Sequence, residues 1–106
     1  MTTKTAPVSG VDENGLRWED VDVFGTTYRV REITVPEWDA AFDAASTGPD
    51  TINPRLRSRL ELCSAIVSPV TTLNDMDNWS KAKLLRLLEA YDKINNLPPA
   101  DAEGNG

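Results

Sequence analysis

The chain has 106 residues, enough for one folded domain, and its net charge of −6 argues against binding nucleic acid by neutralising phosphates. It contains no histidine, which excludes the commonest general base, the usual zinc ligand and every nucleophile activated by histidine. Its single cysteine, Cys63, excludes an intramolecular disulfide and a paired-cysteine metal site.

Both ends of the sequence lack a hydrophobic period. Residues 1–15 are polar and rich in turn-forming residues, which predicts a flexible N-terminal arm. Residues 97–106 contain a proline pair followed by small polar residues, which predicts a flexible C-terminal tail. We therefore expect one domain over residues 16–96. Since no apolar run has the length of a membrane span and no signal peptide is evident, we expect a cytoplasmic protein without a membrane partner.

An alternating apolar pattern on both sides of Gly25 predicts a β-hairpin over residues 16–33. If Gly25 and Thr26 form a two-residue turn, one face carries four apolar side chains and the other carries two pairs of opposite charge. The expected cross-strand pairs are Val23–Tyr28, Val21–Val30, Asp22–Arg29 and Asp20–Arg31.

Helical spacing follows the hairpin and predicts helices at about residues 35–46, 54–68 and 78–96. Thr34 and Glu37 form a capping box at the first of them. The fold class is therefore α+β: an N-terminal hairpin followed by three or four helices, mainly helical, with disordered termini. The apolar stripe of the first helix comprises Trp38, Ala41, Phe42 and Ala45.

The second helix is expected to begin with Asn53 as its N-cap and Pro54 at the first helical position. Its first turns contain three arginines, although the helix dipole disfavours positive charge there. Nearby aspartates or solvent would compensate these positive charges. The alternative is an acidic partner, and for that case Arg55 and Arg59 are candidate partner-binding residues. The third arginine is Arg57, and the nearby aspartates are Asp39, Asp43 and Asp50.

The third helix has an apolar arc that is wider than packing against one neighbour requires. Two explanations stay open: a core that contacts both the hairpin and another helix, or a surface that binds a partner. The tryptophans Trp38 and Trp79 are expected in the core, with interface anchors as the alternative. The candidate partner-binding residues on this part of the chain are Trp79, Leu84, Leu87, Leu88 and Tyr91.

No catalytic, cofactor-binding or metal-binding residues are predicted. The 17 carboxylates fall at helix starts, in turns and on the polar strand face, without a pattern that places two of them in a cleft. Cys63 lies at helical spacing from apolar residues and is expected in the core. The sequence therefore indicates a protein that is not an enzyme.

The order of elements resembles the tail assembly chaperones of long-tailed bacteriophages. In that family a segment of the form G-x-x-Y-x-V-R-E-[LI]-T-V leads directly into a helical region, and residues 25–35 match it. In the same family a helix ends in the form x-x-V-x-P, and residues 67–69 are similar to this ending. A leucine-rich helix follows. The resemblance covers residues 20–95.

This resemblance implies a non-enzymatic protein of the host cytoplasm that binds the tape measure protein, keeps it soluble and helps to bring tail tube subunits to it. The protein would be absent from the mature virion. It also implies a longer product made by ribosomal frameshifting near the end of the reading frame. Self-association stays open, and no nucleic acid, membrane or cofactor is expected as a partner.

Two other classes remain as alternatives. A small virion structural protein, of the head–tail connector or tail terminator type, would form a ring and persist in the particle. An acidic inhibitor that mimics DNA would bind a basic groove, and its binding would weaken as salt screens the charges.

Overall fold

The computed structural model describes residues 8–96, in which six strands and four helices form a mixed sheet-and-helix fold. The expected combination of sheet and helix is thus confirmed. The strands are β1 (Ser9–Val11), β2 (Arg17–Val23), β3 (Thr26–Arg31), β4 (Ser46–Gly48), β5 (Thr51–Ile52) and β6 (Ile66–Ser68). The helices are α1 (Val35–Ala44), α2 (Pro54–Ala65), α3 (Leu73–Met76) and α4 (Lys81–Asn95).

The hairpin of β2 and β3 is the centre of a four-stranded antiparallel sheet with the order β1-β2-β3-β6. The prediction of a flexible arm through residue 15 is wrong for Ser9–Val11, which pair with β2. The Asp12 carboxylate accepts hydrogen bonds from the backbone of Asn14 and Leu16, and these bonds close the turn that returns the chain to the sheet. The expectations for residues 1–7 and 97–106 lie outside the described residues.

The second helix is shorter than predicted, because its last expected residues form β6. Ile66 has extended backbone angles, φ −79° and ψ 108°, and β6 pairs with β3 at the edge of the sheet. β-Branched side chains favour this extended conformation. The separate ribbon of β4 and β5 connects α1 to α2.

The faces of the hairpin are those expected, but its register is not. Val21 pairs with Tyr28 and Asp20 pairs with Arg29, so the predicted Asp20–Arg31 pair is wrong and each pairing moves by two positions. The central turn residues are Phe24 and Gly25, both with positive φ, 49° and 88°. A turn of this kind matches the right-handed twist of the strands, which favours this register.

The helices α1 and α2 begin at the predicted capping residues. The Thr34 hydroxyl accepts a hydrogen bond from the Glu37 backbone at 3.3 Å, and the Glu37 carboxylate accepts one from the Thr34 backbone at 2.9 Å. The Asn53 side chain accepts bonds from the first backbone amides of α2. Each contact satisfies an amide that the helix itself leaves unpaired.

The core lies between the sheet and the helices α2, α3 and α4. α4 crosses β2 and β3, while α2 contacts α1, α4 and β6. Cys63 is partly buried against this core, as expected, and burial raises the pKa of its thiol, with a smaller effect from Asp75. The buried cluster consists of Val23, Tyr28, Val30, Leu62, Ala65, Ile66, Met76, Leu87, Tyr91 and Ile94.

Candidate partner-binding cleft

The predicted binding face of α4 is largely the core face of that helix. Leu87 is fully buried, so the prediction that it forms a partner surface is wrong for the described fold, whereas Tyr91 is 7% exposed and lines the cleft described below. Leu84, Leu88 and Trp79 are partly buried and pack against the same core. The wide apolar arc is explained by the position of α4, which packs on the sheet and on α2 together.

The arginines of α2 are arranged differently from the expectation. Arg57 pairs with Glu61, its neighbour one turn later, at 2.8 Å. Within residues 8–96, neither Arg55 nor Arg59 has a carboxylate oxygen within 4.0 Å, so the anticipated pairing with aspartates is not found there. Arg55 and Arg59 stay candidates for contact with an acidic partner.

The exposed apolar surface is found on α1 instead. Trp38 and Phe42 are each 46% exposed and Val35 is 66% exposed, which corrects the expectation that Trp38 is a core residue. The small side chains Ala41 and Ala45 are the buried part of the predicted stripe, and they allow α1 to approach α2 closely. The larger residues of the stripe therefore flank this contact and reach solvent.

Beside this surface lies an open cleft of about 260 Å³. The junction of β3 and α1 forms one wall, and α2 with the end of α4 forms the other. The cleft thus combines apolar side chains from the first wall with polar side chains from the second. Its lining residues are Ile33, Thr34, Val35, Trp38, Glu61, Tyr91, Asn95 and Asn96.

A buried carboxylate is among the residues that line the cleft. Glu61 is 8% exposed, accepts a hydrogen bond from the Tyr91 hydroxyl and pairs with the Nε of Arg57. Burial, and then the bond to Glu61, raise the pKa of the Tyr91 phenol far above its ordinary value. The tyrosine therefore stays protonated at neutral pH and acts as a hydrogen-bond donor that holds Glu61 in place.

The wall on the α4 side is held by Asn95. Its side-chain oxygen accepts a hydrogen bond from the Ile33 backbone at 2.8 Å, and its nitrogen donates to the carbonyls of Arg31 and Tyr91 at 3.2 Å. The guanidinium of Arg31 in turn donates two hydrogen bonds to the Glu37 carboxylate, at 3.0 and 2.8 Å. This network ties β3, α1 and α4 together, so the cleft is formed before any partner binds.

Arg57 links the buried carboxylate to the exposed aromatic residues. Its guanidinium carbon lies 5.7 Å from the centre of the Trp38 ring and 5.3 Å from that of Phe42. Contacts of this kind stabilise the planar cation over the aromatic face. The surface next to the cleft thus presents two aromatic rings and a guanidinium that is paired with Glu61, a combination suited to a peptide with apolar side chains.

Within residues 8–96, no three His, Cys, Asp or Glu side chains are grouped so that they could hold a metal ion. None of the helices in the same residues is long and apolar enough to cross a membrane. No protein-family model matches this chain, and comparisons with curated proteins and with solved structures gave no match either. The functional argument therefore depends on the residues of the chain itself.

Proposed function

We propose that this chain is a non-enzymatic tail assembly chaperone of a long-tailed phage, which binds the tape measure protein through the cleft beside α1. The observation that carries the proposal is the exposed face formed by Val35, Trp38 and Phe42. These residues follow one another at helical spacing, so together they form a continuous apolar strip. The tape measure protein of the resembled family is long and mostly helical, and it needs such a strip to cover its own apolar helix faces.

The mode of binding is a helix of the partner laid along α1, with one apolar side chain in the cleft. Trp38 lines the cleft and also belongs to the exposed strip. It therefore joins the two parts of the surface that contacts the partner. Arg57 is paired with Glu61 and lies over the rings of Trp38 and Phe42, so it supports the aromatic surface from within the chain. The tail tube protein is the second partner that the resemblance suggests, and assembly takes place in the host cytoplasm without incorporation of the chain into the mature virion.

Co-expression with the tape measure protein encoded by the same phage genome tests the proposal. We expect the wild-type chain to keep the tape measure protein soluble and to elute with it in size-exclusion chromatography. Trp38→Ser and Phe42→Ser should fold, since both side chains are half-exposed, but they should lose the complex. Val70→Ser is the matched control, because Val70 is 83% exposed and does not line the cleft.

The outcomes separate the function from the site. If the wild-type chain forms no complex with the tape measure protein, the chaperone function is wrong. If the complex forms but both serine variants retain it, the function stands and the cleft beside α1 is the wrong surface. Detection of the chain at a fixed copy number in purified virions would instead support a virion structural protein. Binding to the basic groove of another protein, lost at high salt, would support a DNA mimic.

A further inference from the structure

The tip of the β2–β3 hairpin carries an aromatic residue in an unfavourable conformation. Phe24 has a φ of 49°, in the left-handed region that asparagine and glycine tolerate and that bulky side chains avoid. Its side chain is 64% exposed, so burial in the core compensates little of this strain. Burial in the core therefore does little to explain a phenylalanine at this position.

Arg86 lies beside this tip, and Lys83 lies about one turn earlier on the same face of α4. The guanidinium carbon of Arg86 is 5.6 Å from the centre of the Phe24 ring. The ammonium of Lys83 is 5.1 Å from the ring of Tyr28 and 4.8 Å from that of Trp79. We call Phe24, Lys83 and Arg86 the hairpin-tip surface. It brings a turn of the sheet and the first half of α4 into one patch of cations and aromatic rings.

The charges of the hairpin-tip surface are not neutralised within the described residues. In residues 8–96, neither Lys83 nor Arg86 has a carboxylate oxygen within 4.0 Å. Other cations of the same part of the chain do form such pairs, at 2.8 to 2.9 Å, and these are Arg17, Arg29, Arg31 and Arg57. In a chain with a net charge of −6, this patch is therefore locally positive.

Apolar surface continues from the hairpin tip along α4. Arg86 lines a shallow groove of about 650 Å³ on the outer side of the helix, together with the half-exposed Leu85 and the partly buried Leu88. Glu89 and Asp92 line the same groove further along the helix. The positive charge is thus concentrated at the hairpin end, which gives a bound segment a preferred direction.

We propose that the hairpin-tip surface binds an acidic segment of a protein partner, with Phe24 as the apolar anchor and Lys83 and Arg86 facing the carboxylates. Charge complementarity selects this occupant, since a positive patch on an acidic protein attracts acidic chains and repels basic ones. Two cations are too few for nucleic acid, whose affinity depends on many phosphate contacts. The surface is separate from the cleft beside α1, which contacts the other end of α4 through Tyr91 and Asn95.

The test uses the full chain and a labelled synthetic peptide made of glutamate, leucine and phenylalanine, with binding followed by fluorescence anisotropy. A second peptide replaces every glutamate with lysine, and a labelled single-stranded DNA is the third probe. We expect the acidic peptide to bind about tenfold more tightly than the lysine peptide, and its affinity to decrease as salt is raised. Phe24→Asn and Arg86→Glu should each weaken acidic-peptide binding about tenfold.

Phe24→Asn keeps the turn, because asparagine adopts positive φ readily, so loss of binding in this variant does not reflect loss of the fold. Val11→Asn is the matched control, since Val11 is also 64% exposed but lies on β1, and it should bind like the wild type. Equal binding of both peptides, preference for the DNA, or unchanged affinity of Phe24→Asn would overturn the proposal. So would the absence of acidic-peptide binding up to about 1 mM, or self-association of the chain that Phe24→Asn abolishes.

Discussion

The hydroxyl of Tyr91 on α4 donates a hydrogen bond to the buried carboxylate of Glu61 on α2, thirty positions earlier in the chain. Glu61 also pairs with Arg57, whose guanidinium lies over the exposed rings of Trp38 and Phe42. One chain of contacts therefore runs from the core to the rim of the cleft. A change at its buried end should affect both the stability of the fold and the position of the surface that we propose binds a partner.

Tyr91→Phe should lower the free energy of unfolding by about 1 to 3 kcal/mol, because it leaves the buried Glu61 carboxylate with one partner fewer. Urea denaturation at neutral pH measures this loss. The double variant with Glu61→Gln should lose less than the sum of the two single losses, since the two side chains interact. Additive losses would show that the hydrogen bond does not couple the helices.

The same pair predicts a change of stability at alkaline pH. Burial and the bond to Glu61 raise the pKa of Tyr91 above its ordinary value of 10.0, so the folded state holds this proton when the unfolded state releases it. The stabilisation from the protonated phenol is fully present below about pH 10 and is lost as pH rises towards the folded pKa. Unfolding measured over this range should show a steeper decline for the wild type than for Tyr91→Phe, and parallel curves would contradict the assignment.

At acid pH, the ion pair between Arg31 and Glu37 should make a measurable contribution. The hydrogen bonds from Arg31 lower the pKa of Glu37 below 4.5, so its stabilising effect is present above that pH and is lost as pH falls through the folded value. Glu37→Gln retains a capping side chain but removes the charge. We expect this substitution to lower the free energy of unfolding by less than about 1 kcal/mol at neutral pH. On acidification, the variant should lose less stability than the wild type.

Two leucines of α4 distinguish its core face from its outer face. Leu87 is fully buried, whereas Leu85 is 51% exposed. Leu87→Asp places a charge in the core and should unfold the chain, because the loss of packing alone costs about 2 to 5 kcal/mol. Leu85→Asp should change stability by no more than about 0.5 kcal/mol. Circular dichroism with thermal unfolding checks both, and a folded Leu87→Asp variant would restore the interpretation of this face as an interface.

The hairpin illustrates which features follow from sequence and which do not. Alternation with a period of two predicts the apolar face, and Val23, Tyr28 and Val30 are indeed buried. A shift of the register by two positions preserves that alternation, so the apolar pattern is the same for the predicted and the observed pairing. The turn decides between them through the positive φ of Phe24 and Gly25, and an exposed phenylalanine is an unusual residue for that position.

The candidate site was harder to predict than the elements around it. Helical spacing places Trp38 and Phe42 on the apolar stripe of α1 but does not tell how much of the stripe a neighbour covers. That depends on the close contact of Ala41 and Ala45 with α2, which is a property of tertiary packing. β1 and β6 were missed for a different reason, since strands of three residues are too short to show a period.

Phe24→Asn should stabilise the chain, in contrast to most substitutions. Asparagine followed by glycine is the preferred sequence for a two-residue hairpin turn with positive φ at both positions, and the phenylalanine ring contributes little burial at 64% exposure. We expect the free energy of unfolding to rise by about 0.5 to 1 kcal/mol. Gly25→Ala is the opposite control, because Gly25 has a φ of 88° and alanine there should destabilise the hairpin. Urea denaturation of both variants measures the difference. If Phe24→Asn is instead less stable than the wild type, Phe24 contributes to the fold itself, and the case for it as an anchor for a partner is lost.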